Sequence, residues 1–348
     1  MHGSYTVYHR LARTLIAVVG ALGVAVGAMP AVSDTSQGLS LLKKATFTLN
    51  QVPRNWDDFL WMSDHSWLII TAQRQPHQVR SAYSVFNLLN RKGRPLHSLT
   101  RSLNTDANGK SLHEPWNIIS VSPAGHVLLA SRSTTIAVFT TAGTRLRIWT
   151  NRVGGAVYKW FSDGTRWAEF RPSYGGETIS DVIVHGIHNG PDDYRVALSQ
   201  AVSLSPRAAE TSVITRSARV IAVGGHNAGS MSGRIPVLSF LMLNISNERL
   251  ENREIEVKSP AGDYVAEVSI NSAGDRVAWL SSSAADVDGR VRWSLRVGNL
   301  HNSPMQLIGT LTSNVGTIPL KSLVWTPGGT SLSFFHSGKY YIVKVPTP

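Results

Sequence analysis

Beyond residue 40 the apolar positions fall into short runs of β-branched and aromatic residues, many alternating with polar ones, and separated by Gly-, Pro-, Asp- and Asn-containing turns. Nothing in this stretch carries a 3.6-residue apolar repeat, so the pattern predicts strands and argues against an α/β domain. One phrase introduces many of the runs: an apolar residue, a small polar residue, a turn, then a strand. It reads Met62-Ser63-Asp64-His65-Ser66 before Trp67–Ile70, and Val121-Ser122-Pro123-Ala124-Gly125 before Val127–Ala130. It returns as Trp160-Phe161-Ser162-Asp163-Gly164, Ile270-Asn271-Ser272-Ala273-Gly274 and Trp325-Thr326-Pro327-Gly328-Gly329, each ahead of an apolar run. A degraded copy, Leu204-Ser205-Pro206-Arg207-Ala208, precedes Val213-Ile214-Thr215. Pro, Asp and Gly supply the fixed or positive φ of tight turns, so each phrase predicts a hairpin.

The copies begin near residues 62, 121, 160, 204, 270 and 325. A second strand follows each, such as Tyr83–Phe86, Ile136–Phe139 or Ile179–Val184, and polar turns then lead to a third. Units of roughly 40 to 50 residues with four short strands are the signature of propeller blades. The expected fold is therefore all-β, a single β-propeller of four-stranded blades over residues 45–348. Six blades are expected, with seven as the alternative because the 59- and 66-residue spacings have room for irregular strands. The chain stops soon after the strand Tyr340–Val345, while Ala45–Leu49 is a strand without a phrase of its own. Pairing that N-terminal strand into the last blade would close the ring and cover two edges.

The phrases Ser122-Pro123-Ala124-Gly125, Ser162-Asp163-Gly164 and Thr326-Pro327-Gly328-Gly329 resemble the repeat of TolB-like (WD-repeat-like) bacterial propellers. That resemblance implies an exported propeller, a fold that hosts scaffolding, binding, hydrolytic and lyase activities. Residues 34–60 are too short to supply the α/β domain that accompanies the propeller in TolB itself, so its envelope role does not follow.

The first 33 residues differ from the rest. Arg10 and Arg13 precede Thr14–Met29, which is nearly all Ala, Val, Gly, Leu and Ile. A basic start, an apolar stretch and a small-residue exit after Ala28 or Ser33 describe an export signal; the alternative is an uncleaved membrane anchor. Both place residues 34–44, a linker, and the propeller outside the cytoplasm, in the periplasm or the medium. The chain has no cysteine, which excludes a disulfide framework, cysteine-ligated zinc or iron–sulfur centres and a thiol nucleophile.

Patterns for specific chemistry are weak. Gly229-Ser230-Met231-Ser232-Gly233 has Met where a nucleophile elbow needs Ser, and Gly109-Lys110-Ser111 lacks the upstream glycine of a phosphate loop. Asp106 and Asn108, in Asn104–Gly109, alternate as calcium ligands do, but the closing glutamate position is Pro115. His185 and His188 with Asp192 and Asp193 are a metal alternative, although histidines three apart on a strand face opposite ways. The expectation is no metal and no cofactor. Asp286-Val287-Asp288-Gly289 reads as a hairpin turn. Trp160, Trp167, Trp279 and Trp325 occupy apolar positions of the repeat and are expected in the core; Trp56, Trp61, Trp116 and Trp149 lie nearer strand ends.

Charge completes the picture. The chain carries +12, and loss of residues 1–33 would leave +10. Residues 71–160 hold twelve basic and two acidic residues, so the excess sits in the first two blades. Arg91, Lys92, Arg94, Arg145 and Arg147 are the candidate contact residues. The expected function is a non-enzymatic binding or scaffold module whose basic sector meets a protein partner or an anionic envelope component such as lipid head groups or acidic polysaccharide. Nucleic acid is disfavoured by export. A polysaccharide hydrolase or lyase, using His185, His188 and a carboxylate in one concave site, is the alternative.

Overall fold

The computed structural model describes residues 40–346 except 50–55, 64–65, 76–77, 88–96, 100–102, 106–107, 113, 124, 151–152, 188–192, 199–203, 228–236, 246–248, 257–263, 283–285 and 301–304. The N-terminal segment 1–33 and most of the linker, together with Arg91, Lys92, Arg94, Asp106, His188 and Met231, lie outside the described residues.

The fold consists of four-stranded antiparallel sheets. After a short 3-10 turn, β1 (Ala45–Leu49) leaves the chain start. The first sheet holds β2 (Trp56–Ser63), β3 (Ser66–Gln75), β4 (Gln78–Asn87) and β5 (His97–Ser98). The second holds β6 (Asn117–Val121), β7 (Val127–Arg132), β8 (Thr135–Thr140) and β9 (Arg145–Trp149). The third holds β10 (Val157–Trp160), β11 (Arg166–Pro172), β12 (Ile179–Gly186) and β13 (Tyr194–Ala197). Next come β14 (Val213–Ile214), β15 (Arg219–Asn227), β16 (Val237–Asn244) and β17 (Arg249–Glu256), then β18 (Tyr264–Ile270), β19 (Arg276–Ser282), β20 (Arg290–Asn299) and β21 (Gln306–Asn314). These five sheets each take strands consecutive in sequence. The remaining sheet is composite: β22 (Lys321–Trp325), β23 (Ser331–His336) and β24 (Lys339–Lys344) are joined by β1, which pairs antiparallel with β24 from Ala45↔Val343 to Leu49↔Tyr340. The architecture is an all-β propeller with four strands to a blade.

Burial follows from the stacking of sheets face to face. The middle strands β7, β8, β11, β19, β23 and β24 are buried on both faces over most of their length. They read accordingly as apolar runs instead of clean alternations. The outer strands β9 and β13 are largely exposed. Packing passes from sheet to sheet. Tyr83 meets Trp116 and Phe139; Leu129 and Val138 meet Trp160 and Trp167; Phe170 and Val184 meet Ala222 and Leu243; Phe240 meets Trp279; Leu280 and Leu295 meet Phe334 and Val343. Trp61 of the first sheet donates to Ser333 Oγ of the composite sheet at 2.9 Å, and its ring centroid lies 6.3 Å from that of Tyr340. Trp160, Trp167, Trp279 and Trp325 are all core residues, and Trp61 and Trp116 join them.

The turn phrases do more than reverse the chain. Two of them reach the next sheet: Ser162 N–H donates to Ile214 O and Arg166 Nη2 to Arg216 O, while Ser272 Oγ donates to Pro327 O and Arg276 Nη1 to Gly329 O. One phrase is not a turn. Leu204–Ala208 opens a short helix, α1 (Pro206–Thr211), where Ser205 caps Ala208 N–H and Pro206 takes the first helical position. Ser before Pro fits a helix start as well as a tight turn, because the missing proline N–H is an orphan there. The hairpin turn of the fourth sheet is Thr215-Arg216-Ser217-Ala218, closed by Ala218 N–H to Thr215 O at 3.1 Å. Asp286–Gly289 is a turn as expected: Asp286 Oδ1 accepts from Arg290 N–H at 2.7 Å, and Gly289 has φ +69°. Among the described residues no helix is long and apolar enough to cross a membrane.

Candidate functional site

The densest cluster of chemistry-bearing side chains lies on the seam between the second and third sheets. In the β11–β12 ladder Trp167 stands opposite His185, and alternation puts Glu169 on the same face, diagonal to the imidazole. Trp167 stacks on His185 with centroids 4.1 Å apart at 26°. Trp149, reaching over from β9, meets both rings edge-on at 5.1 and 5.4 Å. Asp193, just before β13, closes the cluster. Its carboxylate accepts from Trp149 Nε1 at 3.1 Å, Arg147 Nη2 at 3.0 Å and Gly186 N–H at 3.2 Å, and lies 3.2 Å from His185 Nδ1. Arg147 also donates to Gly186 O at 3.0 Å and lies 4.7 Å over the Trp149 ring. On the other side of the imidazole, Nε2 lies 3.6 Å from Glu169 Oε2, and Arg171 Nε lies 3.1 Å from Glu169 Oε1.

Electrostatics follow from these contacts. Burial would push the Glu169 carboxyl up, but the hydrogen bonds and charges of His185 and Arg171 more than offset it and hold it below the ordinary glutamate range. Asp193 behaves likewise: desolvation is outweighed by Trp149 N–H, His185 and Gly186 N–H. The two carboxylates address opposite nitrogens of His185, so they do not converge on one point, and the described residues contain no cluster that could hold a metal ion. The imidazole, 7% exposed, is inside the seam and not in a concave cleft. The arrangement fixes the register of two blades; it presents no nucleophile to solvent. His188 and Asp192, the other members of the metal alternative, lie outside the described residues, while the two carboxylates near His185 face opposite edges of its ring.

Of the basic candidates, Arg145 and Arg147 stand two apart on β9, but the β8–β9 register shifts between them, so Arg145 pairs with Phe139 and Arg147 with Val138, whose side chains point to opposite faces. Arg145 is exposed, whereas Arg147 is taken up by Asp193 with only 17% of its side chain accessible. Elsewhere in 71–160, Arg132 lies 4.7 Å over Trp116, and Lys159 donates to the Glu210 backbone carbonyl. Burial drives the Lys159 ammonium down to about 8, against the pull of Glu210. Beside Arg145, Leu146 and Ile148 are each 44% exposed on the outer strand. Asn108 lies in a turn, followed by Gly109 at φ +76° and spanned by the Thr105–Ser111 bridge. Sequence reasoning missed Glu169 and Arg171. Their only signal was their place in an otherwise apolar run, Trp167–Phe170, where a buried acid requires a partner.

No family model matches the chain, and no curated protein matches it. Solved structures do overlap it. A TolB from Agrobacterium tumefaciens aligns at 15% identity over 85% of this chain and 92% of its own, with a TM-score of 0.43. Sqt1 from Chaetomium thermophilum aligns at 10% identity over 87% and 99%, with a TM-score of 0.46. The WD40 domain of Pan2 from Neurospora crassa aligns at 8% identity over 84% and 90%, with a TM-score of 0.42. At these values the chain is similar to TolB and WD40 propellers in fold, and no activity passes from them.

Proposed function

We propose that this protein is an exported, non-catalytic binding propeller that takes an acidic protein partner along the basic sector of its first two sheets. The reading rests on one observation. The outer strand β9 puts exposed Arg145 next to Leu146 and Ile148, two large apolar side chains each 44% accessible on a sheet edge. An outer strand carries unpaired backbone groups, and apolar side chains beside a cation suit a partner segment laid along that edge. Arg91, Lys92 and Arg94 belong to the same stretch of excess positive charge and would extend the field that steers an acidic partner. Delivery outside the cytoplasm rests on residues 1–33. Closure of the ring by β1, paired into the last blade, is part of the same reading.

The test is binding of a Glu-rich peptide to the full chain at two salt concentrations. Affinity is expected to fall at high salt and to drop roughly tenfold, about 1.4 kcal/mol, in the Arg91→Ala/Lys92→Ala/Arg94→Ala and Arg145→Glu variants. Indifference to salt and to both variants would remove the electrostatic proposal. Expressed with its own N-terminus, the protein is expected in the periplasmic or extracellular fraction, and retention inside the cell overturns the export half.

A further inference from the structure

A second region differs in composition from its surroundings. Residues 161–288 hold 11 basic and 16 acidic side chains, whereas residues 289–348 hold six basic ones and no acid. Averaged together these nearly cancel, which hides a basic C-terminal stretch. The structure gathers part of it around a groove of about 630 Å³ between the fifth and the composite sheets. One wall is the end of β21, with Thr312, Ser313 and Asn314; the other is Lys321 at the start of β22 and the β23–β24 tip, His336 and Ser337. None of the described lining residues is acidic. Arg292 pairs opposite Thr312 and Arg290 opposite Asn314; both arginines are exposed but stand outside the groove lining, on the strand face away from Trp293 and Ser313. Among the described residues Lys321 and Arg290 make no ion pair.

Backbone geometry aims this charge. The β22–β23 register shifts between Lys321 and Val324, and Ser322 has φ +56°. The other non-glycine residues with positive φ among those described, Ser133, Ala218 and Ser337, all sit in hairpin turns that require it; Ser322 lies inside a strand. Left-handed backbone is unfavourable at a non-glycine residue, and bulges of this kind re-aim a side chain. His336 is fixed as well. Its Nδ1 lies 2.6 Å from Pro319 O and must donate to it, which leaves Nε2 to accept from Ser337 Oγ at 3.2 Å in the neutral ring.

We infer that this groove binds a carboxylated sugar, with Lys321 opposite the carboxylate and the hydroxyl and amide side chains on the sugar hydroxyls. A simple inorganic anion would fill little of the volume and would leave Thr312 and Asn314 unused, whereas Ser313 is already taken up by Trp293 Nε1 and Thr317 O. Hydroxyls and a carboxamide act as both donors and acceptors, as a ring of sugar hydroxyls requires. The site is independent of the β9 edge and of the reading drawn from it.

Titration calorimetry of the full chain with trigalacturonate, using maltotriose as the neutral counterpart, tests the inference. Trigalacturonate is expected to bind at least tenfold more tightly than maltotriose. Lys321→Gln should lose about tenfold in affinity for the acid, and Thr312→Val should weaken binding at unchanged salt dependence. Both side chains are exposed, so the variants should keep the wild-type unfolding midpoint. Equal affinity for the two sugars overturns the assignment, as does indifference to Lys321→Gln. Binding of a Glu-rich peptide that Lys321→Gln abolishes, with no binding of trigalacturonate, would make this an acidic-peptide site and overturn it too. Loss of trigalacturonate binding only in the Arg91→Ala/Lys92→Ala/Arg94→Ala variant would move the sugar to the other basic region.

Discussion

Glu169 sits on β11 between a tryptophan and a phenylalanine that are both fully inside, and it stays ionised because His185 and Arg171 meet its carboxylate. Its proton affinity is lower in the fold than in the unfolded chain. Such an acid stabilises the fold above its ordinary range, and that contribution disappears as the pH falls through this range into the depressed folded value. Glu169→Gln keeps the shape but removes the charge, leaving Arg171 without its partner. The variant is expected to be about 1–3 kcal/mol less stable near pH 7, with the deficit shrinking below about pH 4. Urea unfolding of both proteins at pH 7 and pH 3.5 reads this directly. An equal deficit at both values would show that packing, not charge, accounts for it. The same residue shows a limit of sequence reading. His185 was visible as a ligand-type side chain, but its partners come from the next strand's register and from a third sheet element, and neither adjacency is written in local spacing.

Elements were legible where turn chemistry forces the backbone. Gly274 has φ +72°, and a Cβ there would come within 2.6 Å of Ile221 Cδ1, so the Asn271-Ser272-Ala273-Gly274 phrase marks both a turn and a contact with the neighbouring sheet. The fourth unit misled because Leu204-Ser205-Pro206 satisfies a helix cap as well as a turn. Its real turn, Thr215–Ala218, uses no glycine; Ala218 takes φ +60° instead. A close approach, invisible in sequence, fixes Gly309 on β21. A Cβ there would stand 2.8 Å from Leu41 Cα, and Leu41 is fully buried. Gly309→Ala must therefore push the segment before β1 off the fifth sheet. The expected loss is about 1–3 kcal/mol, as for other overpacked sites. An unfolding midpoint equal to wild type would show that this segment moves aside without loss.

For the whole molecule, the two chain ends meet in one sheet, and this sets a demand on stability that no disulfide shares. β1 covers the outer edge of β24, Ser40 bridges to Thr310 on the fifth sheet, and Leu41 joins the cluster of Leu280, Leu295, Phe334 and Val343. Trp61 then ties the first sheet to the composite one through Ser333. The start of the chain thus touches the fifth and composite sheets within ten residues, Ser40 to Leu49. Removing it should loosen the fifth sheet from the composite one as well as uncover an edge. A chain lacking residues 1–39 keeps every one of these contacts and is expected to match the full chain in unfolding midpoint. A chain lacking residues 1–50 loses the β1 ladder and the Leu41 anchor, the latter alone worth about 2–5 kcal/mol. It is expected to unfold earlier and to expose β24 to aggregation. Leu41→Ala provides a milder version that retains β1 and should fall between the two. If the shorter chain instead melts with the longer one, strand pairing by β1 adds nothing to the ring, and the first and composite sheets must be held by their facing side chains alone.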